Sequence, residues 1–296
     1  MRDWLRSITP TFVLESFRQW KKANRRKAIE KQYAHGAIIT VDFLADQLKQ
    51  MGIKSGDTLL VHTAMSRMGA LKDGPKTLVD ALMQTVGKNG HILMPTSPNP
   101  AMQLNYIESH PRFDVQKSPS KMGAVTEYFR QLPGVVRSWS PTEPVSAWGP
   151  DAEWFVEGHA YKSTPYDADS PFARLAQRQG KILYIGVTLI NAGTSLHLLE
   201  DAVEDFPLAV YHPKTFPVTV VAPDGQEHHW SVKVHNPDVS VLRRCDDLLP
   251  LFEREGIAQR VKLGQAPTWL FDAQGMYEAM LRWYEREGTT MYSANN

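Results

Sequence analysis

Asp57-Thr-Leu-Leu-Val-His-Thr63, then Pro75-Lys-Thr-Leu-Val-Asp-Ala-Leu-Met-Gln-Thr-Val86, then Gly90-His-Ile-Leu-Met-Pro95 decide the fold. The first and third are short apolar runs of strand length. The middle one opens on a proline, which suits the first helical position because its missing N–H has no partner there anyway. Strand, loop, helix and strand in this order make a βαβ unit, and such a unit needs a parallel sheet.

The same reading extends outward. Thr40 caps a helix over 41–51 that stops at Gly52. Residues 121–132 read as helical and 134–138 as a short strand. Ser170-Pro171 starts another helix, and Lys181-Ile-Leu-Tyr-Ile-Gly-Val187 is a third buried strand. Gly193-Thr-Ser-Leu-His-Leu-Leu-Glu-Asp201 runs from a loop into a helix. Residues 216–221 and 228–234 alternate around Asp224-Gly225, a hairpin signal. Helices near 246–255 and over 273–287 close the chain. The expected class is α/β: a central, largely parallel sheet flanked by helices, with a strand-rich later portion and an N-terminal helical arm. The arm takes residues 1–36 and the body 37–296.

The 296 residues suffice for one large core, and 42% hydrophobic with 22% charged is ordinary for a globular enzyme. The single cysteine, Cys245, allows neither an intrachain disulfide nor a cysteine-built metal site, which fits a reducing compartment. No apolar run approaches the roughly 20 residues needed to span a bilayer, and no secretory signal opens the chain, so a cytoplasmic location is expected. The net charge of +1 divides unevenly: residues 1–36 carry nine Lys or Arg against three Asp or Glu, leaving the body at −5. Thr9-Pro10 reads as the start of the arm helix. Phe12, Val13, Phe17, Trp20 and Ala28 approximate an apolar stripe, opposite a basic face of Arg18, Lys21, Lys22, Arg25, Arg26, Lys27 and Lys31. Two readings stay open: residues 9–33 lie on an anionic membrane face, or the stripe packs on the body or a second subunit in a homo-oligomer. Removal of residues 1–35 is expected to leave turnover largely intact.

The segment Gly52-Ile-Lys-Ser-Gly-Asp-Thr-Leu-Leu-Val-His-Thr-Ala-Met-Ser-Arg-Met-Gly69 resembles the opening signature of the aminoglycoside 3-N-acetyltransferases. Further pieces resemble the family in the same order: Lys76 to Leu82, Val86 to Thr96, Lys121-Met-Gly123, Val136-Arg-Ser138, Ala147-Trp-Gly149, Asp169-Ser-Pro171, Lys181 to Val187, and Thr194-Ser-Leu-His-Leu-Leu-Glu200. The likeness begins near residue 37 and thins after 210. It implies an acyl-coenzyme A-dependent N-acyltransferase acting on the amine of an amino sugar, with acetyl-CoA or a short acyl-CoA as cosubstrate. One position departs: where the family carries His-Pro with a catalytic histidine, this chain has Ser140-Pro141, and Glu143-Pro144 replaces the second half of that pattern. The lost histidine and the added arm shift the expected acceptor towards a nucleotide-linked amino sugar of surface polysaccharide synthesis. The alternatives are an aminoglycoside antibiotic, or a silent CoA- or sugar-binding homologue.

Amide formation from a thioester needs a neutral amine, a polarised carbonyl and alignment. The donor is expected on the loop after the first strand, since α/β sheets hold ligands at the carboxyl ends of parallel strands and helix N-termini favour phosphates. His62, Thr63, Ser66, Gly69, Lys72, Gly74, Lys76 and Thr77 are the candidates there. For the base, Glu200 lies three residues after His197, so a helix puts both on one face. Glu200 is the expected base with His197 in support, and Asp169 joins them as a catalytic candidate. Asp167, Glu143, Trp139 and Ser140 are expected at the acceptor. Helix capping competes for Asp167 and Asp169, a solvated loop for Glu143, and packing for Trp139, as for Met65, Met68 and Trp148. His228 and His229 are adjacent and point to opposite faces of a strand, so with His235 they make no shared metal site. Cys245 precedes Asp246-Asp247, whose charges raise a thiol pKa, and is expected inert. No metal and no nucleic-acid partner is expected.

Overall fold

The computed structural model describes residues 11–99 and 102–292. Thr9 and Pro10, and the side chains of Phe12, Val13, Phe17, Arg18 and Lys22, lie outside the described set.

Helix α1 (Thr11–Ala34) is the arm, and α2 (Val41–Gln50) follows. Thr40 caps α2, its Oγ1 accepting from Phe43 N at 3.3 Å. The βαβ unit is β1 (Thr58–Thr63), α3 (Pro75–Val86) and β2 (His91–Pro95), close to the bounds its apolar runs predict. Helix α4 (Gln103–Ser109), β3 (Arg112–Asp114), α5 (Ala124–Phe129), β4 (Val136–Arg137), β5 (Val145–Trp148) and α6 (Ala152–Glu157) come next. Helix α7 (Pro171–Gln177) and β6 (Lys181–Ile185) precede a loop that runs into α8 (Leu198–Ala202). The hairpin β7 (Phe216–Val221) and β8 (Glu227–Val232), then α9 (Leu249–Arg254), β9 (Ala258–Leu263), β10 (Ala266–Asp272) and α10 (Ala273–Glu287), complete the order.

The main sheet runs β4-β5-β2-β1-β6-β10-β9. Its middle, β2-β1-β6, is parallel, and antiparallel strands extend it on both sides. Alternation along the middle strands separates two cores. Leu59, Val61, Ile92, Met94, Leu183 and Ile185 face one core with α2, α3 and α5. Leu60, Leu93, Ile182 and Tyr184 face the other with α6, α7, α9 and α10. Burial on both faces is why these strands read as continuous apolar runs. The hairpin belongs to a separate sheet, β3-β7-β8, over its own small core of Ile107, Phe113, Val218, Val220 and Val232.

Strands β9 and β10 carry no clear sequence signal. Arg260 and Lys262 break the apolar run on β9, as suits an edge strand. Pro267 argues against a strand, yet it lies opposite Lys262 of β9, and the pairing of β10 with β6 starts at Thr268.

The arm packs its C-terminal end on the body. Gln32 Nε2 donates to Gln265 Oε1 and Gln32 Oε1 accepts from Ala70 N, both at 3.0 Å, and Tyr33 Oη donates to Leu71 O. Ala28, Ile29 and Gln32 line a groove between the arm and the body, whereas Trp20 of the expected stripe is 58% exposed. Among the described residues no helix is long and apolar enough to cross a membrane.

Candidate active site

The carboxyl ends of β1 and β6 meet at one place. Ala64 N donates to Ile185 O at 2.8 Å. Gly186, at φ +68°, lies so close to Arg67 that an added Cβ would sit 3.0 Å from Arg67 Cβ. Beyond it the chain turns at Thr194, whose Oγ1 lies 3.4 Å from His62 Nε2. Burial pulls the His62 imidazole down to about 3, so it is neutral near pH 7.

His197 ends the turn at 194–197 and α8 carries Glu200 behind it. The spacing of three brings His197 Nδ1 to 2.9 Å from Glu200 Oε2. Two residues far off in sequence complete the network: His235 Nε2 lies 3.0 Å from the same oxygen, and Tyr292 Oη donates to Glu200 Oε1 at 2.6 Å. The His197 and His235 rings are 4.4 Å apart, and Tyr166 stacks on His197 at 4.8 Å. Burial pulls His197 down to about 4, against the pull of Glu200. For Glu200, burial pushes upward, but the two imidazoles outweigh it and hold the carboxylate below its usual range. The Glu200 side chain has no exposed surface.

A carboxylate accepts only, so each imidazole presents an N–H to Glu200. Neutral His197 is then protonated on Nδ1 and carries its lone pair on Nε2, which has no partner among the described residues. His197 lines a cavity of roughly 250 Å³ with Asn99, Glu143, Tyr166, Thr194 and Arg243. Glu143 accepts from Gln103 Nε2 at 2.8 Å, and burial pushes its carboxyl up to about 7. Nε and Nη2 of Arg243 are buried without a partner among the described residues. Cys245 also lines this cavity, with a thiol that burial pushes up to about 12.

His197, Glu200 and His235 are also the described residues whose ligand atoms cluster, within 4.8 Å of one another. A metal would need both facing ring nitrogens deprotonated and about 2.0–2.1 Å from it. The observed 2.9 and 3.0 Å separations to one oxygen are those of N–H···O bonds.

Several expected site residues sit elsewhere. Asp167 and Asp169 both pair with Lys162 at 2.8 Å, so Asp169 is spent on a surface ion pair rather than the cavity. Ser140 Oγ accepts from Glu143 N at 3.2 Å and serves a turn. Trp139 lies beside Tyr161 and His228 near the small sheet, outside the cavity. On the donor loop Lys76 is paired with Asp80, and buried Thr77 accepts from Asp73 N at 2.8 Å. Lys72 is exposed and Gly74 is the N-cap of α3. Ser66 and Gly69 line a groove of roughly 440 Å³ against α1.

The model of the aminoglycoside 3-N-acetyltransferase family matches residues 60–285, most of the chain. The chain belongs to this family. It is therefore an acyl-CoA-dependent N-acyltransferase, with acyl-coenzyme A as cosubstrate. It is 28% identical over 275 residues to aminoglycoside N(3)-acetyltransferase IX of Micromonospora chalcea, covering 84% of this chain and 95% of that one. It is likewise 28% identical to aminoglycoside N(3)-acetyltransferase VII of Streptomyces paromomycinus, over 84% and 92%. Among solved structures it resembles AAC-IIIb in its binary complex with CoASH, with TM-score 0.69 and 27% identity over 84% of this chain and 97% of that one. It also resembles sisomicin-bound AAC-VIa, with TM-score 0.71 and 27% identity over 83% and 98%. The family match begins inside β1, and the arm lies ahead of it. The hydrogen-bonded His197–Glu200 pair falls within the matched region, while His235 and Tyr292 carry no readable motif: they lie 35 and 92 residues beyond Glu200.

Proposed function

We propose that this enzyme acylates an amino group of an aminoglycoside, with His197 as the base and Glu200 as the residue that positions it. The 2.9 Å bond between His197 Nδ1 and Glu200 at the cavity wall carries the reading. Acyl-coenzyme A supplies an activated carbonyl whose thiolate leaves without acid help. The chain's own work is to hold the amine in line and to take its proton. His197 Nε2 accepts that proton as the nitrogen bonds to the carbonyl carbon. The imidazolium so formed is stabilised by the Glu200 carboxylate and returns its proton to solvent or to the departing thiolate. This reverses the expected roles of the pair, because Glu200 is sealed behind two imidazoles and Tyr292.

The acceptor reading moves from nucleotide-linked sugars to aminoglycosides because the similar enzymes are named for that class. Glu143, when ionised, supports a cationic amino sugar, and the two unpaired nitrogens of Arg243 suit hydroxyl oxygens of its ring. The cavity lies below the ~300–1,000 Å³ of usual ligand sites, which fits one ring rather than a whole drug. The test is coenzyme A release from acetyl-CoA with sisomicin and with nucleotide-linked amino sugars. Turnover with sisomicin is expected; turnover with nucleotide sugars alone would overturn the acceptor, and none with any amine would overturn catalysis.

A further inference from the structure

The groove between α1 and the β1 loop has a composition that the acceptor site does not explain. Arg25, Ala28, Ile29 and Gln32 recur at helical spacing and form the wall on the arm side; Ser66 and Arg67 form the opposite wall. Among the described residues no carboxylate lines it. Neither Arg25 nor Arg67 has an ion-pair partner among the described residues, whereas Arg26, one position on, is neutralised by Glu30 at 3.0 Å. Arg67 loses some of its affinity for a proton through burial and through the charge of Arg25, as expected where two guanidiniums face one space. Two facing cations are unfavourable unless an anion lies between them, and guanidinium geometry matches phosphate. The arm is held here by Gln32 and Tyr33, so the two walls are fixed together.

One loop connects the groove to the cavity wall. The stretch that begins at His62, in contact with Thr194 of the cavity wall, carries Ser66 and Arg67 into the groove. A long ligand laid along this loop would run from the groove towards Thr194, which lines the cavity together with His197.

We infer that Arg25 of the arm and Arg67 of the β1 loop form a phosphate subsite that grips the nucleotide end of acyl-coenzyme A. The inference rests on the acyltransferase reading and assigns the donor's phosphates to these arginines rather than to Lys72 and Lys76. It also makes the arm part of the donor site, against the expectation that its removal is silent.

The experiment compares acetyl-CoA with acetyl-pantetheine, which lacks the nucleotide, for the wild type, Arg25→Ala and Arg67→Ala. KM for acetyl-CoA is expected to rise about tenfold in each variant, the loss of one charge-assisted bond to a partly solvated phosphate. Values of kcat stay within about twofold and KM for acetyl-pantetheine is unchanged, because neither arginine reaches the reacting atoms. The salt dependence of KM for acetyl-CoA should flatten in both variants. Equal effects on both donors, or none on either, would overturn the subsite while leaving the acyltransferase reading intact. If the wild type turns over neither donor, that reading fails instead, and calorimetry decides the subsite: tighter binding of CoA than of pantetheine, lost in Arg25→Ala, supports it, and equal binding overturns it. Inorganic phosphate that binds the wild type while CoA affinity is unaltered in the variants marks a free-phosphate site and overturns the assignment to the donor.

Discussion

The cavity at His197 and the groove at Arg25 lie on either side of one loop and are built on opposite terms. At the cavity wall one buried carboxylate is fully bonded: it serves two imidazoles and a tyrosine hydroxyl. In the groove the cations are exposed and have no ion-pair partner among the described residues. Buried networks fix geometry, and a change to one member leaves its partners unsatisfied, so chemistry and stability fail together. Solvated cations tune affinity and leave the fold alone. The contrast sorts substitutions into those that lower kcat and Tm and those that raise a donor KM.

The largest expected effect that breaks this contrast is at Glu200. In Glu200→Gln the amide can turn its NH2 towards His197 and favour the wrong tautomer, so kcat should fall between about 10²- and 10⁴-fold. Tm should drop as well, with donor KM almost unchanged. A variant with normal kcat would mean that the buried network does not serve catalysis.

Acid stability is next. His62 is held neutral down to about 3 by burial, and an unfolded histidine titrates near 6.5. Between these values the unfolded chain takes up a proton that the folded chain refuses, so stability falls as pH drops below 6.5. The loss is about 2 kcal/mol by pH 5. Urea unfolding at pH 7.5 and pH 5 should show His62→Gln losing about 2 kcal/mol less than the wild type over that interval; equal losses would show that His62 is not held neutral.

Glu143 has the opposite sign. Burial pushes its carboxyl up to about 7, so its ionisation costs stability as pH rises from the usual carboxylate range towards 7. The same ionisation should improve binding of a cationic acceptor. Acceptor KM should fall several-fold from pH 6 to pH 8, and Glu143→Gln should remove the part of that change centred near 7. An identical KM profile in the variant would separate Glu143 from the acceptor.

The smallest effect is expected at Ser140, the residue in place of the family histidine. Ser140→Ala removes one turn hydrogen bond to Glu143 N, worth about 1 kcal/mol. A loss of kcat greater than about tenfold would return the serine to the chemistry.

Legibility in the sequence divides along the same line between local and long-range order. The βαβ unit shows in the sequence because β1 and β2 are apolar on both faces and α3 opens on Pro75. The pair at His197 and Glu200 shows because a spacing of three is enough to join them. Strands β9 and β10 do not show, since an edge strand must carry charge and Pro267 sits just before the β6 ladder begins. His235, Tyr292 and Arg243 do not show either: only the packing of the small sheet and the C-terminal segment brings them to Glu200. Arg25 and Arg67 belong to segments that look, one by one, like a solvated helix face and an ordinary loop.

His197 Nε2 takes the proton in the proposed reaction, and imidazole rescue of His197→Ala tests this role most directly. The variant should lose about 10²–10⁴-fold in kcat with its acetyl-CoA affinity retained. Added imidazole should restore part of that rate in proportion to its neutral fraction, so that rescue grows as pH rises through about 7. A variant of normal rate, or a folded and CoA-binding variant that imidazole leaves unchanged at every pH, would contradict the assignment.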